Sequence, residues 1–287
     1  MKTATPRSAI APLIVVAATL AVYLPTLTSL VHQWASDANY SHGFLVVPFA
    51  AFFAWRARAQ MAVPDASSAV AGYLVVTAAL LVFLAGALGA ELFLTRVSLL
   101  GVIAGAALAL YGRGSVRALA FPLALVLLAI PLPAVIFNRI ALPLQLVASH
   151  AAETVLTAAG IPVLREGNVL MLPSMTLEVA QACSGIRSLV SLVAMAVLLG
   201  KLAGARPWAR LVLAAIAVPI AIVANAARVA GTGLAAAWIG PYAAEGFFHE
   251  FAGWVVFVAA LTLLVIAHRW LRGISRWRTR PAAAVLS

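Results

Sequence analysis

An all-α polytopic membrane protein of about eight transmembrane helices, with a small extracytoplasmic helix and β-hairpin cap before the sixth span, is the fold class this sequence predicts. The first observation behind it is composition. Of 287 residues, 64% are hydrophobic and 9% charged, against about 25% charged in soluble chains. The second is that apolar runs approaching twenty residues recur along the whole chain, the length a helix needs to cross the hydrocarbon core of a bilayer. The third is charge asymmetry. The formal net charge is +11, and the basic residues concentrate in every second predicted loop, on one side of the membrane.

Eight spans follow in order, at 10–30, 43–55, 69–88, 97–111, 119–137, 184–202, 211–230 and 251–271. A lipid-exposed backbone must close its own hydrogen bonds, and a helix does so within one segment. Pro122, Pro131, Pro133 and Pro219 fall inside these runs and are expected to kink helices packed against neighbours. Lys2 and Arg7 precede the first run, which continues to residue 30 and is too long for the apolar core of a signal peptide. With the N-terminus inside, fourteen of the 19 basic residues fall on the cytoplasmic side, all but Arg96, Arg139, Arg165, Arg187 and Arg228. Seven of the eight acids, all but Asp65, fall on the other. The positive charge thus has a topological origin, and nucleic acid is not needed as a partner.

The chain reads as a single integral-membrane domain over 1–287, with an outer cap segment at 138–182 and a basic cytoplasmic tail at 272–287 suited to anionic lipid. Within the cap, 142–159 has helical apolar spacing with Gln145, Ser149, His150 and Glu153 on its polar side, an interfacial helix. Val163 and Leu164, then 169–172, read as two short strands about a Gly167-Asn168 turn, with 175–179 as a third.

The chain is organised around EVAQACSGIRSL, residues 178–189, which carries Cys183, the one cysteine of the sequence. A single cysteine forms no intramolecular disulfide. It is a small buried hydrophobe, an intermolecular link or a reactive thiol. The topology puts Cys183 at the outer start of the sixth span, Arg228 near the outer end of the seventh and His249 at the outer start of the eighth. A thiol, a guanidinium and an imidazole are therefore expected at one membrane depth. A helix N-terminus and a nearby cation such as Arg187 at i+4 favour thiolate. His249 suits proton transfer to or from the thiol or a leaving amine. Arg228 suits stabilising an oxyanion or holding a substrate carboxylate or carbonyl, and the two roles are partly interchangeable. Against these stand bland alternatives: arginines that snorkel to headgroups and an incidental interfacial histidine. His32 and His42, ten residues apart, do not make a zinc-spaced ligand set, and no cofactor or metal site is expected.

The segments ACSGIRSL (182–189), NAARV (225–229) and FHEFAGW (248–254), with YSHGFLVVP (40–48) and FPLALVLLAIPLP (121–133), resemble the signature segments of the exosortase/archaeosortase family, in the family's order and over most of the chain. The resemblance implies a polytopic cysteine protease-transpeptidase of the bacterial inner membrane, with its active site facing the periplasm. It would act on membrane-anchored proteins that carry a C-terminal PEP-CTERM tail, and pass the new carboxyl end to a glycan or lipid acceptor. By matching motif, Cys183 would be the acyl-thioester nucleophile, with Arg228 and His249 completing the triad. Arg187, Asn225, Arg165 and Arg139 are expected to bind substrate, the arginines by reading an acidic motif. Two rival functions remain: a non-enzymatic component of exopolysaccharide export or assembly, and a transporter. A transporter is expected to carry internal repeats and charges near mid-membrane, whereas a polysaccharide component has no need of the thiol.

Overall fold

The computed structural model describes residues 10–37, 39–58, 66–179, 185–244 and 246–275. Among the described residues there are nine α-helices and one three-stranded sheet. Six of the helices are long and apolar enough to cross a membrane, and the chain is a mostly helical multi-pass membrane protein. It divides into two compact units, Met1–Pro133 and Ala134–Ser287.

The first unit holds α1 (Ile10–Ser36), α2 (Gly43–Ala57), α3 (Ala66–Leu88), α4 (Leu92–Tyr111) and α5 (Arg113–Leu127). The α3–α4 pair packs closely because small residues line it. A β-carbon on Gly72 would run into the Ala109 backbone nitrogen, and one on Gly105 would fall 2.8 Å from that of Val76. In lipid such close approach supplies the van der Waals contact that the hydrophobic effect cannot. Glu91 caps α4, its side chain accepting the Phe93 N–H at 3.0 Å. Against α4 lies α1. Tyr23 shares a 2.9 Å hydrogen bond with Ser98 and packs with Phe83, Ala79 and Val102. Arg96, only 3% exposed, donates to Gln33 Oε1 at 2.7 Å and to Ser29 Oγ at 3.2 Å.

The structure corrects the fifth predicted span. A continuous helix was expected over 119–137, but α5 ends at Leu127 and the next helix starts at Ala134. Pro131 and Pro133 explain the break: each lacks an N–H donor and each turns the preceding residue away from helical backbone angles. Pro122 and Pro219 stay inside continuous helices. The last turns of α1 and the loop to α2 take up the polar groups that the break leaves open. Trp34 Nε1 donates to the Ala129 carbonyl at 2.9 Å, His42 Nε2 lies 3.1 Å from the Leu128 carbonyl, and the Leu132 N–H donates to Tyr40 Oη at 3.2 Å. Burial pushes the Tyr40 phenol above its ordinary value.

The second unit holds α6 (Ala134–Ala158), β1 (Leu164–Glu166), β2 (Val169–Met171), β3 (Thr176–Glu178), α7 (Gly185–Leu202), α8 (Pro207–Trp238) and α9 (Gly246–Ser275). The stretch expected as an interfacial helix over 142–159 is part of α6, which begins eight residues earlier and is long and apolar enough to span. The strands form an antiparallel meander in the order β1-β2-β3. Glu166 pairs with Val169 across the predicted two-residue turn, where Gly167 takes φ +63°, a backbone angle that glycine adopts without steric cost. The sheet is tied to α6 by Ser149 Oγ donating to the Gly167 carbonyl at 3.0 Å, Asn168 Nδ2 donating to Gln145 Oε1 at 3.1 Å, and Arg165 Nε donating to Glu153 at 2.6 Å.

Helix α8 is the axis of this unit, packed against α6, α7 and α9. Near its C-terminal end, Val229 and Ala230 join Ala148, Ala152 and Leu156 of α6 and Leu170 and Leu177 of the sheet in one apolar core. Nearer its N-terminal end, Leu213, Ala217 and Ala221 join Leu192 and Ala196 of α7 and Ala260 and Leu264 of α9 in another.

Candidate active site

One buried stripe of α8 connects those two cores. Leu213, Ala217, Ala221, Asn225 and Val229 recur every four residues and all are buried, so they form a stripe that winds slowly round the helix from one core to the other. Four of the five are apolar and the fifth is an amide. Asn225 is 5% exposed, and its Nδ2 has no hydrogen-bond partner among the described residues.

The packing of α7 fixes the depth of Asn225. A β-carbon on Gly200 of α7 would fall 2.7 Å from Arg210 Cγ of α8, and the two helices run antiparallel about the short turn at 203–206. Both rise about 1.5 Å per residue. Fifteen residues back from Gly200 is Gly185, the first residue of α7, and fifteen on from Arg210 is Asn225. The start of α7 is therefore level with Asn225, and Arg228 is three residues further along α8.

Arg228 is half-buried on α8, and its guanidinium lies directly against α9. A β-carbon on Gly253 would fall 2.7 Å from both Arg228 Cζ and Nη2 and 3.1 Å from Nε. The absent side chain of Gly253 is thus the space the guanidinium fills. His249 precedes Gly253 by four residues, one turn along the same face of α9; its side chain lies outside the described ones. Cys183 stands two residues before Gly185 in the chain and also lies outside the described residues.

The other expected binding residues are dispersed. Arg187 is exposed on the first turn of α7. Arg165 is engaged by Glu153 and the Gly167 carbonyl, which makes it a brace between sheet and α6. Arg139 is exposed near the start of α6, about 25 Å along the helix axis from Leu156, whose side chain meets Gly233 of α8. Among the described residues no three His, Cys, Asp or Glu side chains gather as metal ligands.

Gly253 was passed over in reading the sequence, since a glycine inside an apolar helix signals only close approach and not what approaches. A spacing did carry the signal: a glycine one turn after a histidine, on the helix that follows the one bearing an arginine.

No curated protein and no solved structure matches the chain. A family model described as transmembrane exosortase matches residues 34–266, a stretch that takes in α2 to α8 and the segments around Cys183, Arg228 and His249. By that match over most of its length, the chain belongs to the transmembrane exosortase family.

Proposed function

We propose that this protein is a membrane-embedded cysteine protease-transpeptidase that cleaves exported proteins at a C-terminal PEP-CTERM-type sorting tail and transfers the new carboxyl end to an acceptor. The observation that carries the reading is the seat of the Arg228 guanidinium on Gly253, one turn from His249 and close to the level at which α7 begins, in a chain of the exosortase family. Cys183 precedes the first residue of α7 by two positions in the chain, and a helix start and guanidinium groups near a thiol favour thiolate.

In this mechanism the Cys183 sulfur attacks the scissile carbonyl carbon, a C–S bond forms and the carbonyl π pair moves onto oxygen. His249 takes the thiol proton and returns it to the amine as the C–N bond breaks. Arg228 stabilises negative charge in the transition state. The acyl-thioester is then resolved by water or by an amine or hydroxyl of a glycan or lipid acceptor, so hydrolysis and transfer share one site. Arg187 and Arg139, both exposed, are the basic groups suited to the acidic recognition motif. The protein works as a multi-pass component of the bacterial inner membrane with this site on the periplasmic side. A substrate tail of one apolar helix with a basic cytoplasmic end presents its motif at that depth.

Co-expression with a tagged reporter ending in a PEP-CTERM-type tail tests the reading. Wild type is expected to remove the tail, and Cys183→Ala and Cys183→Ser, present in the membrane at equal level, to leave it intact. Tail loss that persists in both variants returns the protein to the transporter or polysaccharide-component class.

A further inference from the structure

We infer that Asn225 is the neutral oxyanion donor of the reaction: its Nδ2–H is held open in the core of the second unit to receive the carbonyl oxygen of the scissile peptide. The inference rests on the reading just given and assigns a residue to one atom of its substrate. Three observations carry it. Asn225 is the amide in an otherwise apolar buried stripe of α8. Its Nδ2 has no hydrogen-bond partner among the described residues. It is level with the first residue of α7, two residues after Cys183.

A buried, unpaired N–H is costly, so a side chain that only filled space here would be apolar, as its neighbours at Ala221 and Val229 are. Shape alone does not select asparagine. A group that meets its partner only when substrate enters accounts for both the amide and its vacant donor. It also fits the electrostatics of acyl transfer, since such a donor needs no reorganisation as charge develops on oxygen. When sulfur adds to the carbonyl carbon, Nδ2–H donates to the new oxyanion. When the C–N bond breaks and the carbonyl re-forms, the donor is released without having changed its protonation. Arg228, against Gly253 and three residues further along α8, adds its positive charge to the same transition state.

The inference makes stability and rate move in opposite directions, which separates it from a structural role. Removing a donor that has no partner among the described residues is expected to leave thermal stability unchanged or slightly raised. Removing an oxyanion donor is expected to slow acylation by roughly 100-fold to 1,000-fold. The experiment uses the full chain in lipid nanodiscs with the tailed reporter, comparing wild type, Asn225→Ala, Asn225→Ser and Cys183→Ala. Single-turnover tail loss, melting temperature and the rate of Cys183 alkylation by iodoacetamide are followed; with one cysteine in the chain, the label reports that thiol alone. Asn225→Ala is expected to melt no lower than wild type, to be alkylated within a few-fold of the wild-type rate, and to lose tail processing by two orders of magnitude or more. Asn225→Ser, which keeps a shorter donor, is expected to recover part of the rate. Wild-type processing by Asn225→Ala, with Cys183→Ala inactive, overturns the assignment while leaving the thiol mechanism standing. A lowered melting temperature with slowed alkylation makes Asn225 structural and overturns it too. Processing that persists in Cys183→Ala brings down the mechanism on which it rests.

Discussion

The two units bury polar groups in different ways. In the first, polar side chains at the end of α1, in the α1–α2 loop and on α4 each reach a partner within the unit, although His42 Nδ1 and Arg96 Nε find none among the described residues. Trp34, Tyr40 and His42 take up backbone groups freed by the Pro131–Pro133 break, and Arg96 reaches Gln33 and Ser29. In the second, the buried Asn225 amide on α8 donates to none of the described residues, and the Arg228 guanidinium rests in a space kept clear by a glycine. Polar groups in an apolar interior are costly unless paired. Where they are paired internally they hold the fold, and the open donor of Asn225 is the group we assign to the substrate.

That contrast can be broken by substitution. The largest effect is expected at Arg228, where Arg228→Ala removes the charge that the mechanism uses and should lower reporter processing by at least about 100-fold, with the membrane level unchanged on immunoblot. Next comes Gly253→Ala. Its new methyl group would press on the far end of a flexible side chain, so the helix folds but the guanidinium moves. Processing is expected to fall about tenfold or more, since small misplacements of a catalytic group are costly, while melting temperature stays within error of wild type. A fall in melting temperature matching the loss of rate would make Gly253 a packing residue only.

In the first unit the order of effects reverses. Trp34→Phe keeps an aromatic ring but removes the donor to the Ala129 carbonyl, and should cost about 1–3 kcal/mol of stability, read from thermal or denaturant unfolding. Processing per folded molecule should stay at the wild-type rate. The smallest effect belongs to Glu153→Gln in the second unit. It weakens a surface brace to Arg165, of a kind that contributes little to stability, and should leave both stability and processing nearly unchanged. A strong processing defect there would return Arg165 to the substrate-reading role.

Much of this architecture was legible beforehand because lipid leaves few options: apolar runs of span length become helices. The Gly167-Asn168 turn was legible for a local reason, since glycine relieves the backbone strain of a tight hairpin. The break at 128–133 was legible only as prolines. Whether a proline kinks a helix or ends it depends on tertiary partners for the freed backbone groups, and those partners, Trp34, Tyr40 and His42, come from some ninety residues away in the chain. The expected depth of Arg228 and His249 came from span order, and the antiparallel count from Gly200 to Gly185 gives Asn225 and Arg228 a position relative to α7. Gly253 was invisible for a different reason. Its contribution is a missing side chain, and only the neighbour that occupies the space reveals it.

The central claim is a covalent one, and the most direct measurement is intact-mass spectrometry of the purified protein mixed with the tailed reporter and quenched in acid. A thioester on Cys183 predicts a transient adduct heavier than the protein by the mass of the processed reporter less one water, released by hydroxylamine and absent in Cys183→Ala. Tail loss at full rate with no adduct at any quench time, and equally in Cys183→Ala, would contradict it.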